Sequence, residues 1–242
     1  MLDRQSSLPL HMQFETIIRQ KIENEEWPVN TCIPSENDLG KDYGISRMTV
    51  RAVLNRLVQE GLIYRSQGKG TFVAEPKIIS GPLVRYGIRE QLEQMGYETV
   101  TKVISVEKAP ASLKYSKILD IKRDSTVYVV KRVRYVKSEP LSYHISYIPA
   151  NFFPKLEKQD LEHCQLCTIL EKNYRFPIKR RIETLEAIAA PAEESVYLSV
   201  KPKFPLLLLE NTVFTEKDLP IEYSRIIFRG DKIKIKFEYQ KP

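Results

Sequence analysis

The chain has 242 residues, 42% of them hydrophobic and 29% charged, enough to bury a substantial core and to make two ordinary domains. No apolar run approaches the ~18 residues of a membrane span, residues 1–5 open no apolar stretch of signal-peptide length, and three cysteines build no disulfide framework; a cytoplasmic protein without a membrane partner is expected. The net charge of +7 suggests nucleic-acid binding, yet residues 1–77 balance ten Lys/Arg against ten Asp/Glu, and the whole excess lies in residues 78–242.

In chain order, residues 9–25 read as a helix, with Pro9 in the first turn and Phe14, Ile17, Ile18 and Ile22 at helical spacing. Ser35 suits an N-cap, with Asp38 three residues on, and Gly44 suits the left-handed residue that ends this second helix. Ser46 caps a third helix running to about Glu60. Its apolar stripe Val50, Val53, Leu54, Leu57 leaves Met48, Arg51 and Asn55 turned outward. Residues 62–65 and 71–73 are β-prone runs around Gly68-Lys69-Gly70, a hairpin signal. Three helices and a hairpin make a winged helix-turn-helix over residues 1–75.

Residues 76–82 read as a linker. Beyond them the pattern turns strand-rich: Val100–Glu107, Thr126–Val136, Leu141–Ile148, Arg181–Ala189, Leu206–Thr215, Ile221–Phe228 and Lys232–Tyr239. Residues 138–140 and 217–220 punctuate adjacent strands as hairpin turns. Helices are expected at Ile88–Met95, Ala111–Leu119, Thr168–Tyr174 and Ala192–Leu198. The fold class is therefore α+β, with a mainly antiparallel sheet over residues 83–242.

In a helix-turn-helix the second helix of the pair enters the major groove, and its N-terminal residues meet base edges. Here those are Ser46, Arg47, Met48, Thr49 and Arg51. Arg forks match guanine, hydroxyls suit phosphates, and Lys69 at a glycine-flanked tip suits the backbone or minor groove. Within residues 44–73, Arg47, Arg51, Arg56, Arg65 and Lys69 stand against the single acid Glu60, a local concentration of positive charge. The bland alternative is a solvated helix with ordinary surface arginines. The joint order and spacing weigh against it.

Residues 9–73 resemble the GntR family of regulators, through Ile33-Pro34-Ser35-Glu36, Gly44-Ile45-Ser46-Arg47-Met48-Thr49-Val50-Arg51, Glu60-Gly61-Leu62-Ile63 and Gly68-Lys69-Gly70-Thr71-Phe72-Val73. The resemblance implies that Arg47, Thr49, Arg51, Gly68 and Lys69 contact double-stranded operator DNA, with Ser35 and Ser46 beside them. The family commonly has Arg where this chain has Asn37, so its operator is expected to differ from the family's usual one.

Residues 80–240 resemble the UTRA effector-binding domain of the HutC-type subgroup, through residues 130–135, 140–149, 220–224 and 228–231. That implies a chorismate-lyase-like fold used for binding, a homodimer, and an effector pocket lined by residues matching Arg132, Arg134, Ser146 and Glu222. Period two in the strand puts Arg132 and Arg134 on one face with Tyr128 and Val130. Guanidiniums there need anions, supplied by a phosphate or carboxylate ligand. Pairing with Glu222 or other acids, or an exposed face, is the alternative. Three departures stand out. Arg85 and Tyr86 sit in a loop that is often Ser/Thr-rich in relatives answering amino-sugar phosphates. Phe228 replaces a common Tyr, and His144 stands where a sugar-binding member has a carboxylate. A sequence-specific regulator, expected to be a repressor, modulated by a small anionic metabolite such as a sugar phosphate, is the leading reading.

No cofactor, metal site or catalytic residue is expected. Cys164 and Cys167 form one C-x-x-C beside His163, without a thioredoxin-like context or four zinc ligands. His11 reads as a packing or capping residue in the first helix. G-x-S-x-G, Walker-type and H-E-x-x-H motifs are absent. The alternative is a chorismate-lyase-like enzyme with an accessory DNA-binding domain, a Glu222–His144 pair serving as acid and base.

Overall fold

The computed structural model describes residues 2–81 and 87–238. They fall into two compact units, one running to Ile78 and joined by Gly230–Lys232, the other comprising Ile79–Arg229 and the residues after Lys232. No helix among the described residues is long and apolar enough to cross a membrane.

In the first unit, α1 (Leu10–Glu23), α2 (Glu36–Tyr43) and α3 (Arg47–Gln59) are followed by a hairpin of β1 (Ile63–Ser66) and β2 (Gly70–Val73). Their apolar faces meet in one core of Phe14, Ile18, Leu39, Val50, Val53, Leu54, Leu57, Ile63 and Val73, none more than 3% exposed. The helix starts are fixed by side chains. Ser35 Oγ accepts from Asp38 N–H at 3.2 Å, and Ser46 Oγ accepts from Thr49 N–H at 3.1 Å. Gly44 ends α2 at φ 63°, a conformation that penalises a Cβ. We predict that Ser46→Ala lowers the stability of this unit by about 0.5–2 kcal/mol through the lost cap. Chemical denaturation followed by circular dichroism measures this, and an unchanged midpoint would contradict it.

The second unit is built on a six-stranded antiparallel sheet, in spatial order β4 (Thr99–Pro110), β5 (Thr126–Val136), β6 (Glu139–Pro149), β9 (Pro220–Arg229), β8 (Pro205–Thr215) and β7 (Ile178–Ala189). The central strands β5, β6 and β9 are buried on both faces. One face packs Tyr128, Val130 and Val213 under Phe153, Leu156, Leu161, Leu166, Ile169 and Leu170. The other packs Val133, Tyr143, Leu206, Leu208 and Ile227 under Ala190 and Leu198, around α7 (Ala192–Tyr197), and Val127 and Tyr223 under Ala111 and Leu119, around α5 (Leu113–Ile118).

Four expectations shift. The β5–β6 turn is Lys137-Ser138, both at positive φ (49° and 64°), a two-residue mirror-image turn that lacks the usual Asn-Gly signal. Pro140 lies within β6, beside the irregularity at Arg134/Tyr135, where a missing N–H is tolerated. The segment read as linker contains β3 (Ile78–Ser80), and the last strand is only β10 (Ile233–Ile235); Ser80 O accepts from Lys236 N–H at 2.8 Å. The helix expected at 168–174 begins earlier, as α6 (Leu166–Thr168), and continues as a π-helical turn over Ile169–Asn173. Ile88–Gln94 forms α4.

Candidate DNA interface and ligand pocket

The exposed end of α3 carries the predicted DNA-facing residues. Ser46 and Thr49 share a hydroxyl contact of 2.9 Å, Arg47 and Met48 are exposed, and Arg51 is half-buried. Asn37 on α2 and Lys69 at the hairpin tip are exposed too. The wing turn is set by Gly68 at φ 72° and Gly70 at φ 124°; a Cβ on Gly70 would stand 2.9 Å from Cys32 Sγ, so only glycine fits.

The residue that sequence reading missed here is Glu36. Its carboxylate accepts from Arg47 Nε at 3.2 Å, Arg51 Nη2 at 2.9 Å and Arg65 Nη2 at 3.2 Å, joining α2, α3 and β1. The hydrogen bond from Arg51, supported by Arg47 and Arg65, holds the Glu36 carboxyl below the usual carboxylate range. Arg56 is engaged with Glu15 at 2.8 Å. The local positive field is accordingly weaker than a window over residues 44–73 suggested, because its neutralising acids come from α1 and α2. Its place in the first turn of α2, directly after the N-cap Ser35, gave no hint of that role.

In the second unit, strand pairing lays polar residues in rows across one sheet face. One row runs Thr101–Arg134–Ser142–Phe228, the next Val103–Arg132–His144–Ile226–Leu209–Leu185, and a third Val130–Ser146–Ser224–Asn211–Glu183. Arg132, Arg134, His144, Ser146 and Glu222 line one concave space of about 440 Å³, including its open mouth. Arg132 is 5% exposed and Arg134 4%. Arg134 Nε donates to Thr101 Oγ1 at 3.3 Å, while Arg132 Nε and Arg134 Nη1 are buried without a hydrogen-bond partner. Among the described residues neither guanidinium forms an ion pair with a carboxylate; Glu222 is close enough to favour the charge on Arg132 but accepts its hydrogen bond from Ser146 Oγ, at 2.8 Å. Burial, and then the neighbouring Arg132 and Arg89, hold Arg134 down to about 9, still charged at neutral pH.

Five of the expected effector residues thus meet in one cavity. Phe228 lies one row along and lines the adjoining cavity, its ring 6.5 Å from that of His144. Arg85 and Tyr86 lie outside the described residues. The cavity also has walls the sequence did not disclose: Arg181 and Asn211 from the neighbouring strands β7 and β8, and Gln165 and Cys167 around the start of α6. Arg181 Nε, Gln165 Nε2 and Asn211 Oδ1 are likewise buried and unpartnered. Period-two reading of β7 and β8 could have found Arg181 and Asn211 only with the register in hand. Burial pushes the Cys167 thiol up, which argues for an inert thiol there.

His144 and Glu222 make separate hydrogen bonds, His144 Nε2 with Ser142 Oγ at 2.8 Å and Glu222 with Ser146, so they do not form the acid–base pair of the enzyme alternative. Burial, then Arg134 and Arg132, keep His144 well below its ordinary value, hence neutral in the fold. The unfolded chain binds a proton near pH 6.5 that the folded chain refuses, so folding stability falls as the pH drops below about 6.5. We predict that His144→Asn flattens this acid limb by up to about 1.4 kcal/mol per pH unit. Denaturation midpoints from pH 7.5 to 5 measure it; identical limbs in variant and parent would contradict it.

Residues 12–73 match the model for bacterial regulatory proteins of the gntR family, and residues 94–234 match that for the UTRA domain. The chain is 31% identical to the uncharacterized HTH-type transcriptional regulator YurK of Bacillus subtilis, over 96% of each chain. It is 29% identical to the HTH-type transcriptional repressor NagR of the same organism, over 96% of this chain and 95% of that one. The crystal structure of PhnF from Mycobacterium smegmatis shares the fold, at a TM-score of 0.66 and 21% identity, covering 94% of this chain and all of that one. YurK and NagR are both described as transcription regulators. With a gntR-type winged helix-turn-helix and a UTRA domain spanning more than half its length, the chain belongs to the GntR family of transcription regulators, in the HutC-type arrangement.

Proposed function

We propose that this regulator is a repressor that binds operator DNA as a two-fold dimer and changes its operator affinity when a small anionic metabolite enters the second-domain cavity. The named repressors among its relatives support the repressor sign. The observation that carries the anionic ligand is the pair Arg132 and Arg134, buried on an inner sheet face with donors unpartnered. An unpaired buried cation costs several kcal/mol, and a bidentate phosphate or carboxylate removes that cost. Sugar phosphates fit this requirement, with Glu222, Asn211 and Ser224 offering acceptors to hydroxyl groups, and carboxylates fit it equally.

A thermal-shift screen of phosphorylated sugars and carboxylates, followed by DNA-binding titrations with the hits, tests the proposal, since a ligand of the native state raises its midpoint. Hits that stabilise the protein and leave DNA binding unchanged would overturn the regulatory role. The DNA arm is tested on a site selected from random sequence. Arg51→Ala is expected to weaken that site by about 1–3 kcal/mol and to relax one base position, since a fork on a base edge is lost. Equal binding of parent and variant to all sites, or a monomer on one half-site, would overturn this arm.

A further inference from the structure

Beside the charged cavity lies a second space of about 380 Å³, including its mouth, on the same sheet face. Its walls are Ile88, Leu185, Leu209, Phe228, Ile235 and Phe237, with Ser80, Gly81 and Glu183. Ile88 lines both spaces, and Ile226 of the charged cavity is paired across the sheet with Leu209 of the apolar one. Two of the polar groups of the wall are engaged with a neighbouring side chain: Ser80 Oγ and Gly81 N–H both donate to Gln91 Oε1, at 2.8 and 2.9 Å. Leu185 and Phe237 are nevertheless 37% and 48% exposed. Apolar side chains left in contact with water inside a concavity are stabilised by an apolar occupant.

We propose that the effector is an amphipathic anion, its charged head between Arg132 and Arg134 and its apolar body in the cavity of Leu185, Leu209, Phe228 and Phe237. This rests on the reading of Arg132 and Arg134 as the anion site. Continuity fixes the occupant: the cavities share a wall, and one row of the sheet, Arg132–His144–Ile226–Leu209–Leu185, passes from cation to apolar floor. Adjacent strands stand roughly 5 Å apart, so the three steps from Arg132 to Leu209 span about 14 Å at the backbone. An extended alkyl phosphate of several carbons is of comparable length. Charge sets the direction, because the buried cations Arg132 and Arg134 line the first space and no Lys or Arg is among the described lining of the apolar one. A sugar ring finds few polar partners there.

The test is calorimetric titration of the full-length protein with inorganic phosphate and with ethyl, butyl, hexyl and octyl phosphate, each below its micellar concentration. The expected result is similar affinity for the short members, then a gain of about three- to fourfold per methylene once the chain passes about four carbons. In Leu185→Asn and Phe237→Ser, chosen because both side chains are substantially exposed and tolerate substitution, that gain is expected to vanish while inorganic phosphate binds as before. A flat series with intact phosphate binding would overturn the apolar subsite and leave the anion site standing. A gain that survives both substitutions would also overturn it, placing the alkyl chain elsewhere. Phosphate binding unchanged by Arg132→Gln would overturn the anion site and this inference with it.

Discussion

Replacing Arg132 and Arg134 together with methionine is expected to raise the thermal midpoint of the ligand-free protein and to abolish its response to anions. Both guanidiniums are nearly fully buried, their own charges repel, and among the described residues neither forms an ion pair with a carboxylate, Glu222 favouring the charge on Arg132 only at longer range. Desolvation therefore dominates over attraction at this position. Where buried charged groups have been exchanged for apolar side chains of similar volume, gains of about 1–4 kcal/mol are typical. For a chain of this length that corresponds to a rise of roughly 2–4 °C per kcal/mol. Methionine keeps the unbranched volume, so no cavity term offsets the gain. A purely structural role predicts the opposite sign, a fall in midpoint. Scanning fluorimetry with and without the anions that stabilise the parent separates the two: retention of the anion response, or a lower ligand-free midpoint, would sink the assignment. A second readout follows from His144, which those arginines help to keep neutral. Without them its folded proton affinity rises, and the acid limb of stability becomes shallower.

Much of this was legible in the sequence because local chemistry and global fold agree. Ser35, Gly44 and Ser46 announce helix ends that form as written, since caps act within three or four residues. Period two placed Arg132 and Arg134 on the inner face with Tyr128 and Val130, and all four are buried. What stayed hidden depends on long-range register. Arg181 and Asn211 reach the cavity only because β7 and β8 sit beside β9, and Glu36 reaches the α3 arginines only because α2 packs against α3. The Lys137-Ser138 turn lacked a signal because its two left-handed residues are imposed by the paired strands and not by glycine. The linker reading missed β3, whose three residues are too few to show a period.

Glu36→Gln is expected to erode discrimination between operator and random DNA by about 10- to 100-fold while changing stability little. The stability side is small because the pairs are reached by solvent, the arginine side chains being 58%, 41% and 42% exposed against 19% for Glu36, and surface pairs contribute about 0–1 kcal/mol. The DNA side has two opposing parts. The carboxylate lies within 3.2 Å of the three arginine forks and so offsets their attraction for phosphates; neutralising it strengthens sequence-independent binding and steepens the salt dependence by up to about one ion. The same carboxylate holds the Arg47 and Arg51 forks in place before DNA arrives. Freed, each regains rotamer entropy, of order 2 kcal/mol per side chain in full, which a base contact must then overcome. Since a well-placed fork discriminates by about 1–3 kcal/mol, losing part of that from two arginines accounts for the expected range. Fluorescence anisotropy on the selected site and on random DNA, at several salt concentrations, reads the ratio directly. An unchanged ratio with a changed salt slope would reduce Glu36 to a source of charge, whereas loss of both affinities in parallel would mark it as a folding residue. Arg51→Ala provides the reference, because it removes one fork and leaves the charge of Glu36 in place, so its loss falls on the selected site more than on random DNA.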